Sequence, residues 1–215
     1  MNSKISHSRS VVAAVLVSLA VTACGGGGSG GNKNPGTTPE AAEWLLPTNV
    51  IVDGGPGRDG IPALQSPNFE SVATIGTVGA SDLAVAVRYN GEVKIYPHDI
   101  LNWHEIVNDG PADDPYILSY CPLTGSAMAW EGDPSAADPT FGVSGLLYES
   151  NLILYDRQTD SNWAQMLEES VEGSRSGDVP NRPYQSSYGQ PNSVAYEAAG
   201  NGLTSSVTVR SEKGR

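Results

Sequence analysis

Cys121 and the histidine upstream of it are the residues whose types and spacing most suggest chemistry. Cys121 stands in Ser119-Tyr120-Cys121-Pro122-Leu123-Thr124-Gly125, and Trp103-His104-Glu105-Ile106-Val107-Asn108-Asp109 precedes it. A thiol beside an imidazole gains thiolate character and can act as a nucleophile. The same pair suits copper or zinc, with His98 as a third ligand, although two ligands alone bind weakly. His104 would orient or deprotonate Cys121, and Glu105 or Asp109 would hold its far nitrogen. The competing reading makes Cys121 a small buried hydrophobe, His104 a cap on its own helix and His98 a surface residue.

Asp156 and Arg157 follow an apolar run and are expected on the rim of the Cys121–His104 pocket. There they would clamp a carboxylate or phosphate, set a proton donor, or pair with each other and fix the following loop. Two other patterns carry no chemistry. Gly54, Gly55, Gly57 and Gly60 lack the following Lys-Ser/Thr and helix of a phosphate cradle, so they read as a tight loop. Ser144 lies in Gly142-Val143-Ser144-Gly145, which is not a nucleophile elbow.

The elements that must position these residues are short. Residues 83–89 and 92–96 flank Asn90-Gly91, a strong hairpin signal, with Val93 and Ile95 facing the core, Glu92 and Lys94 facing out, and Pro97 ending the strand. Ile100, Leu101, Trp103 and Ile106 predict a helix over 99–107 with Asp99 as its N-cap. Residues 116–120, 126–130, 141–148 and 151–155 read as strands, and 163–169 as a short helix. The fold class expected is α+β, mainly antiparallel sheet with a few short helices, in a single domain.

The flanks give an address. Residues 1–24 read as a lipoprotein signal: Lys4 and Arg9, an apolar run over 11–21, then Val21-Thr22-Ala23-Cys24 as a lipobox whose cysteine carries the lipid. Residues 25–43 are a Gly/Ser/Pro-rich flexible tether. The folded domain is expected over 44–180. Residues 181–215 show no period and are expected to be irregular, as a truncated or frame-shifted end would also be. The net charge is −12, and loss of the two cations of the signal takes it to −14. Such a surface does not suit nucleic acid or anionic head groups. The expected attachment is to the membrane through lipid at Cys24, in the cell envelope, at the outer membrane facing the periplasm or at the cell surface.

Four ordered motifs resemble the DUF3179 family. They are Gly54-Gly55-Pro56-Gly57-Arg58-Asp59-Gly60-Ile61-Pro62-Ala63; Tyr96-Pro97 with residues 103–109; Tyr120-Cys121-Pro122-Leu123-Thr124-Gly125; and residues 141–148 with Tyr155-Asp156-Arg157, Thr159, Ser161 and Trp163. The resemblance covers about 44–180. It implies a bacterial or archaeal protein, often exported, of unknown biochemical function. Many relatives carry a second cysteine where this chain has Thr124, so a dithiol is closed here and the chemistry expected is single-thiol. The family also continues past 180 with a Trp-containing segment that nothing in 183–215 resembles. Two functions follow. One is an exported enzyme or metalloprotein built on Cys121 and His104; the other is a noncatalytic envelope lipoprotein binding a ligand or partner through its loops.

Overall fold

Tyr116–Cys121 is a strand with no solvent face: all six residues are buried. A strand alternates its side chains between two faces, so burying every residue requires a layer on each side. The computed structural model describes residues 43–72 and 81–181, together with the backbone of two strands further on. It supplies both layers.

The middle sheet has the order β2-β6-β7-β8, from β2 (Leu64–Gln65), β6 (Ile106–Asp109), β7 (Tyr116–Cys121) and β8 (Ser126–Glu131). On one side lies a five-stranded sheet of β13 (Gln185–Gly189), β4 (Ala84–Tyr89), β5 (Glu92–Pro97), β14 (Thr204–Arg210) and β3 (Asn68–Ser71), in that order. Val85, Val87, Tyr89 and Tyr96 meet Tyr116, Leu118 and Tyr120 there. On the other side lies a sheet of β1 (Ile51–Asp53), β9 (Phe141–Tyr148), β10 (Asn151–Asp156), β11 (Asn162–Ala164) and β12 (Glu169–Glu172). Ile117 and Cys121 meet Val143, Leu152, Leu154 and Trp163 in this second core. The architecture is three stacked β layers. Pairing is antiparallel throughout the described strands except β2 with β6 and β5 with β14.

The fold is mainly antiparallel β, as expected, with fewer helices. Among the described residues there is one α-helix, α1 (His98–His104), and one 3-10 turn over Thr48–Val50. Pro97, not Asp99, is the N-cap of α1 and makes no side-chain cap; Asp99 falls in the first turn. The expected helix over 163–169 is β11, a turn and the start of β12, because Asn162–Ala164 pairs with β10. The Asn90-Gly91 hairpin forms, with both residues at positive φ. Val93 and Ile95 are buried, as expected, but Lys94 does not face solvent. Tyr96 and Lys94 turn toward the middle sheet, while Ala86 and Ile95 share the opposite face and are buried there too. The tail expected to be irregular contributes β13 and β14, which pair with β4, β5 and β3. Residues 1–42, on which the expected signal, Cys24 and nearly all of the expected tether fall, lie outside the described residues.

Candidate functional site

Cys121 closes β7, and its Sγ–H donates to the carbonyl of Ser150 at 3.8 Å. Glu149 and Ser150 form the tight turn between β9 and β10, both at positive φ. The thiol is 2 % exposed and packs in the second core. Around this end of the core lies a polar network with its partners satisfied. Gln165 Nε2 donates to Ser119 Oγ at 3.1 Å, and Gln165 Oε1 accepts from Ser126 Oγ at 2.7 Å and Asn151 Nδ2 at 2.9 Å. Thr124 joins it, its Oγ1 accepting from Asn151 Nδ2 at 2.9 Å.

His104 is the last residue of α1 and is also buried, with Nδ1 2.7 Å from the carbonyl of Pro62. A carbonyl only accepts, so Nδ1 carries a proton and donates it to this bond. Among the described residues no hydrogen bond joins Cys121 to His104. Glu105 caps α1 at φ 57, and burial raises its pKa. His98 stacks on Tyr120 with ring centroids 4.8 Å apart and Nδ1 3.4 Å from the Tyr120 hydroxyl. Tyr120 belongs to the first core and Cys121 to the second, so His98 and the thiol lie on opposite faces of β7. The donor set for copper or zinc is therefore not gathered. Among the described residues no group of three His, Cys, Asp or Glu side chains is placed to hold a metal ion.

Asp109 serves another partner than His104. Its Oδ2 accepts from Lys94 Nζ at 2.9 Å, Tyr96 OH at 2.8 Å and Tyr116 OH at 2.9 Å. The two tyrosine hydroxyls also hydrogen-bond to each other. Burial above all, then the charges beside them, pushes both phenols well up, so they remain donors. Lys94 lies over the rings of Phe69 and Tyr89 at 4.8 and 5.0 Å. This cluster ties the first sheet to the middle one. Sequence reasoning missed Lys94, although Tyr96 two residues on marked its face as the inward one.

Asp156 and Arg157 do not pair with each other. Asp156 faces the second core and accepts from Thr159 N at 2.6 Å, Thr159 Oγ1 at 2.8 Å and Trp163 Nε1 at 2.9 Å. Arg157 faces outward and grips Asp59 through Nη2 at 2.6 Å and Nη1 at 3.0 Å, with Tyr155 OH donating to Asp59 at 2.5 Å. Gly142 lies beneath this clamp. Asp156 ends β10 and Asn151 begins it, so five steps of strand, roughly 17 Å, separate Asp156 from the thiol's end of the sheet. Neither residue stands on a rim over Cys121.

The far end of the sandwich holds a recess of about 570 Å³. The end of β8, the 132–140 loop, the end of β10 and residues 175–181 form it. Trp130, Phe141 and Trp163 pack edge to face or tilted at its base, with centroids 5.7–6.2 Å apart. Trp163 Nε1 is satisfied by Asp156. Trp130 Nε1 is buried and has no partner. Glu131, Asp133 and Asp138 also line the recess, and its one basic residue, Arg175, pairs with Asp178 at 2.8 Å. Asp138 is shared with a shallower recess of about 580 Å³ bounded by Asp59, Arg157, Gln65 and Thr140.

The sequence profile of a family described as "Protein of unknown function (DUF3179)" matches residues 58–181. That span contains the clamp, the thiol's strand and the recess. No curated protein matches the chain. No solved structure matches it either.

Proposed function

We propose, for a chain that belongs to the DUF3179 family of proteins of unknown function, that it is an exported, lipid-anchored envelope protein that binds a ligand or partner through its loops without catalysing a reaction. The observation that carries this reading is the engagement of the thiol. A nucleophile must be reached by its electrophile, and Cys121 is enclosed by the second core and tied to Ser150. The lipobox at 21–24 and the glycine-rich tether support the address, at the outer membrane or cell surface. Among the described residues no helix is long and apolar enough to cross a membrane.

The experiment is alkylation of Cys121 in the full chain at pH 7, folded and in denaturant. A folded thiol that reacts only as fast as the protein opens, beside a denatured one that reacts at once, supports the reading. Fast reaction of the folded protein, slowed by His104→Ala, ends it. In cells, Cys24→Ser is expected to lose the acyl label and leave the membrane fraction; an unchanged label ends the anchoring part.

The second reading keeps single-thiol or metal chemistry at Cys121 and His104. Its support is the proton that a carbonyl holds on His104 Nδ1, since in the neutral ring this leaves Nε2 to act as base or ligand. Stoichiometric copper or zinc in the purified protein, lost in His104→Ala, would favour it.

A further inference from the structure

We infer that the thiol end of the sandwich docks on a zwitterionic lipid bilayer, with Trp103 and the turns that carry Leu123 and Met166 set into its interface. This rests on the anchoring part of the proposed function and adds an orientation to it. Five of the eight large apolar side chains that the described residues leave exposed are Leu83, Trp103, Leu123, Met166 and Leu167, and all five belong to this end. Leu123 is in the turn from β7 to β8, and Met166 and Leu167 are in the turn from β11 to β12. The turn from β9 to β10 joins them through the bond from Cys121 to Ser150. Trp103 is in α1, whose end is held on β7 by the Tyr120 N–H donating to the Glu105 carbonyl at 2.6 Å. The Leu83 carbonyl accepts from the His98 N–H at the start of the same helix.

Trp103 is 76 % exposed and Leu123 68 %. Exposed apolar residues scattered singly are ordinary, but a set on neighbouring turns marks a docking surface. Between the 149–150 and 165–168 turns a cleft of about 470 Å³ carries that surface inward past Tyr148, Leu152 and Ala164.

The expected lipid at Cys24 and the path by which the chain joins the domain say what covers this surface. The Leu45 N–H donates to the Val171 carbonyl, three residues beyond the 165–168 turn and so roughly 10 Å along β12 from it. Residues 46–50 then lead to Ile51, which pairs with Tyr148 beside the 149–150 turn. A Gly-rich chain as long as residues 25–42 has an r.m.s. span of about 20–25 Å. The lipid therefore keeps this end within reach of the leaflet, where a high effective concentration makes weak insertion sufficient. A tryptophan with leucine and methionine suits the interface, where an amphipathic ring is favoured.

Charge selects the head group. Helix α1 and the three turns hold Asp99, Glu149 and Glu168 and no Lys or Arg. These carboxylates repel an anionic surface, while the ammonium groups of zwitterionic heads attract them. Glu131, Asp133 and Asp138 gather at the opposite end, which faces away from the leaflet.

The test reconstitutes the full chain through its own lipid, at low density, into phosphatidylcholine vesicles with dibrominated acyl chains, which quench an indole only at close range. The emission of Trp103 is the difference between the parent and Trp103→Phe. It is expected to fall severalfold relative to unbrominated vesicles. Leu123→Ser with Met166→Ser, both at exposed positions and checked by an unchanged melting temperature, should remove most of that fall. Equimolar phosphatidylglycerol should do the same, and added salt should restore the quenching. The inference is overturned if Trp103 is not quenched, if the double variant is quenched as the parent is, or if anionic lipid strengthens the effect. It is also overturned if Trp103 is shielded from bromine in proportion to protein density, which makes the occupant a second copy of this chain. Flotation with the vesicles but no quenching removes the docking and keeps the anchor. A Cys24 without acyl chains removes the anchor. The chain is then added to the same vesicles from solution, where quenching of Trp103 upholds the docking and its absence overturns it.

Discussion

Asp59 and Glu105 respond to acid in opposite directions. Burial alone would raise Asp59, but hydrogen bonds from Arg157 and Tyr155 outweigh it and hold its pKa below the unfolded value of 3.8. Its contribution is present above that value and lost as pH falls through the folded pKa. Glu105 is raised above 4.5 by burial. The folded state holds its proton more tightly, so its contribution is present below 4.5 and lost as pH rises through the folded pKa. Glu105→Gln is therefore expected to raise the melting temperature at pH 7, with the gain fading below about pH 4.5; an equal gain at both pH values would refute the assignment. Gly142 sits under the clamp, where an added Cβ would meet Tyr155, Asp59 and Arg157 at 2.5–2.7 Å. Gly142→Ala should cost about 1–3 kcal/mol in chemical denaturation, and unchanged stability would mean that the clamp yields freely. Some of this was readable from the chain. Neighbours at a strand end point to opposite faces, so Asp156 and Arg157 could be separated by the period of two. That Arg157 meets Asp59 and Cys121 meets Ser150 was not readable, because both contacts depend on how distant loops return to the sheets.

The contact between the first and middle sheets centres on one lysine and one aspartate. Side chains of Lys94 and Asp109 are 12 % and 9 % exposed, so neither charge is well hydrated alone. Lys94→Met should cost about 2–4 kcal/mol by leaving Asp109 uncompensated. Lys94→Met with Asp109→Leu should recover part of that loss. Additive effects in the double variant would show that the pair is not coupled. At this scale the sequence was most legible where local signals were strong, at Asn90-Gly91 and in the strands around residues 116–121 and 141–156. It misled at 163–169, where good helix formers sit in a strand and turn. The β11 pairing to β10 and the anchoring of Gln165 by Ser119, Ser126 and Asn151 override intrinsic propensity there. The inward lysine failed for a related reason. Both faces of β5 are covered, so alternation of polar and apolar residues no longer says which face is which.

Across the whole molecule, three layers give two cores and leave the recess and the thiol at opposite ends of the sandwich. The family match ends at residue 181, yet β13 and β14 beyond it complete the first sheet. A chain ending at 181 should melt well below the full chain or fail to fold, because β3 loses its neighbour and β4 and β5 become edges; equal melting temperatures would show the two strands to be dispensable. The sequence hid these strands, since short polar segments pair through backbone groups that carry no side-chain pattern. The position of β14 has a consequence for the order of events in synthesis. This strand follows β3, β4, β5 and β13 in the chain, yet it lies inside the first sheet, between β5 and a β3 made well over a hundred residues earlier. The sheet cannot close until residue 210 has emerged. Native contacts so distant along the chain form slowly, so this sheet is completed late in folding, after its remaining strands have been made.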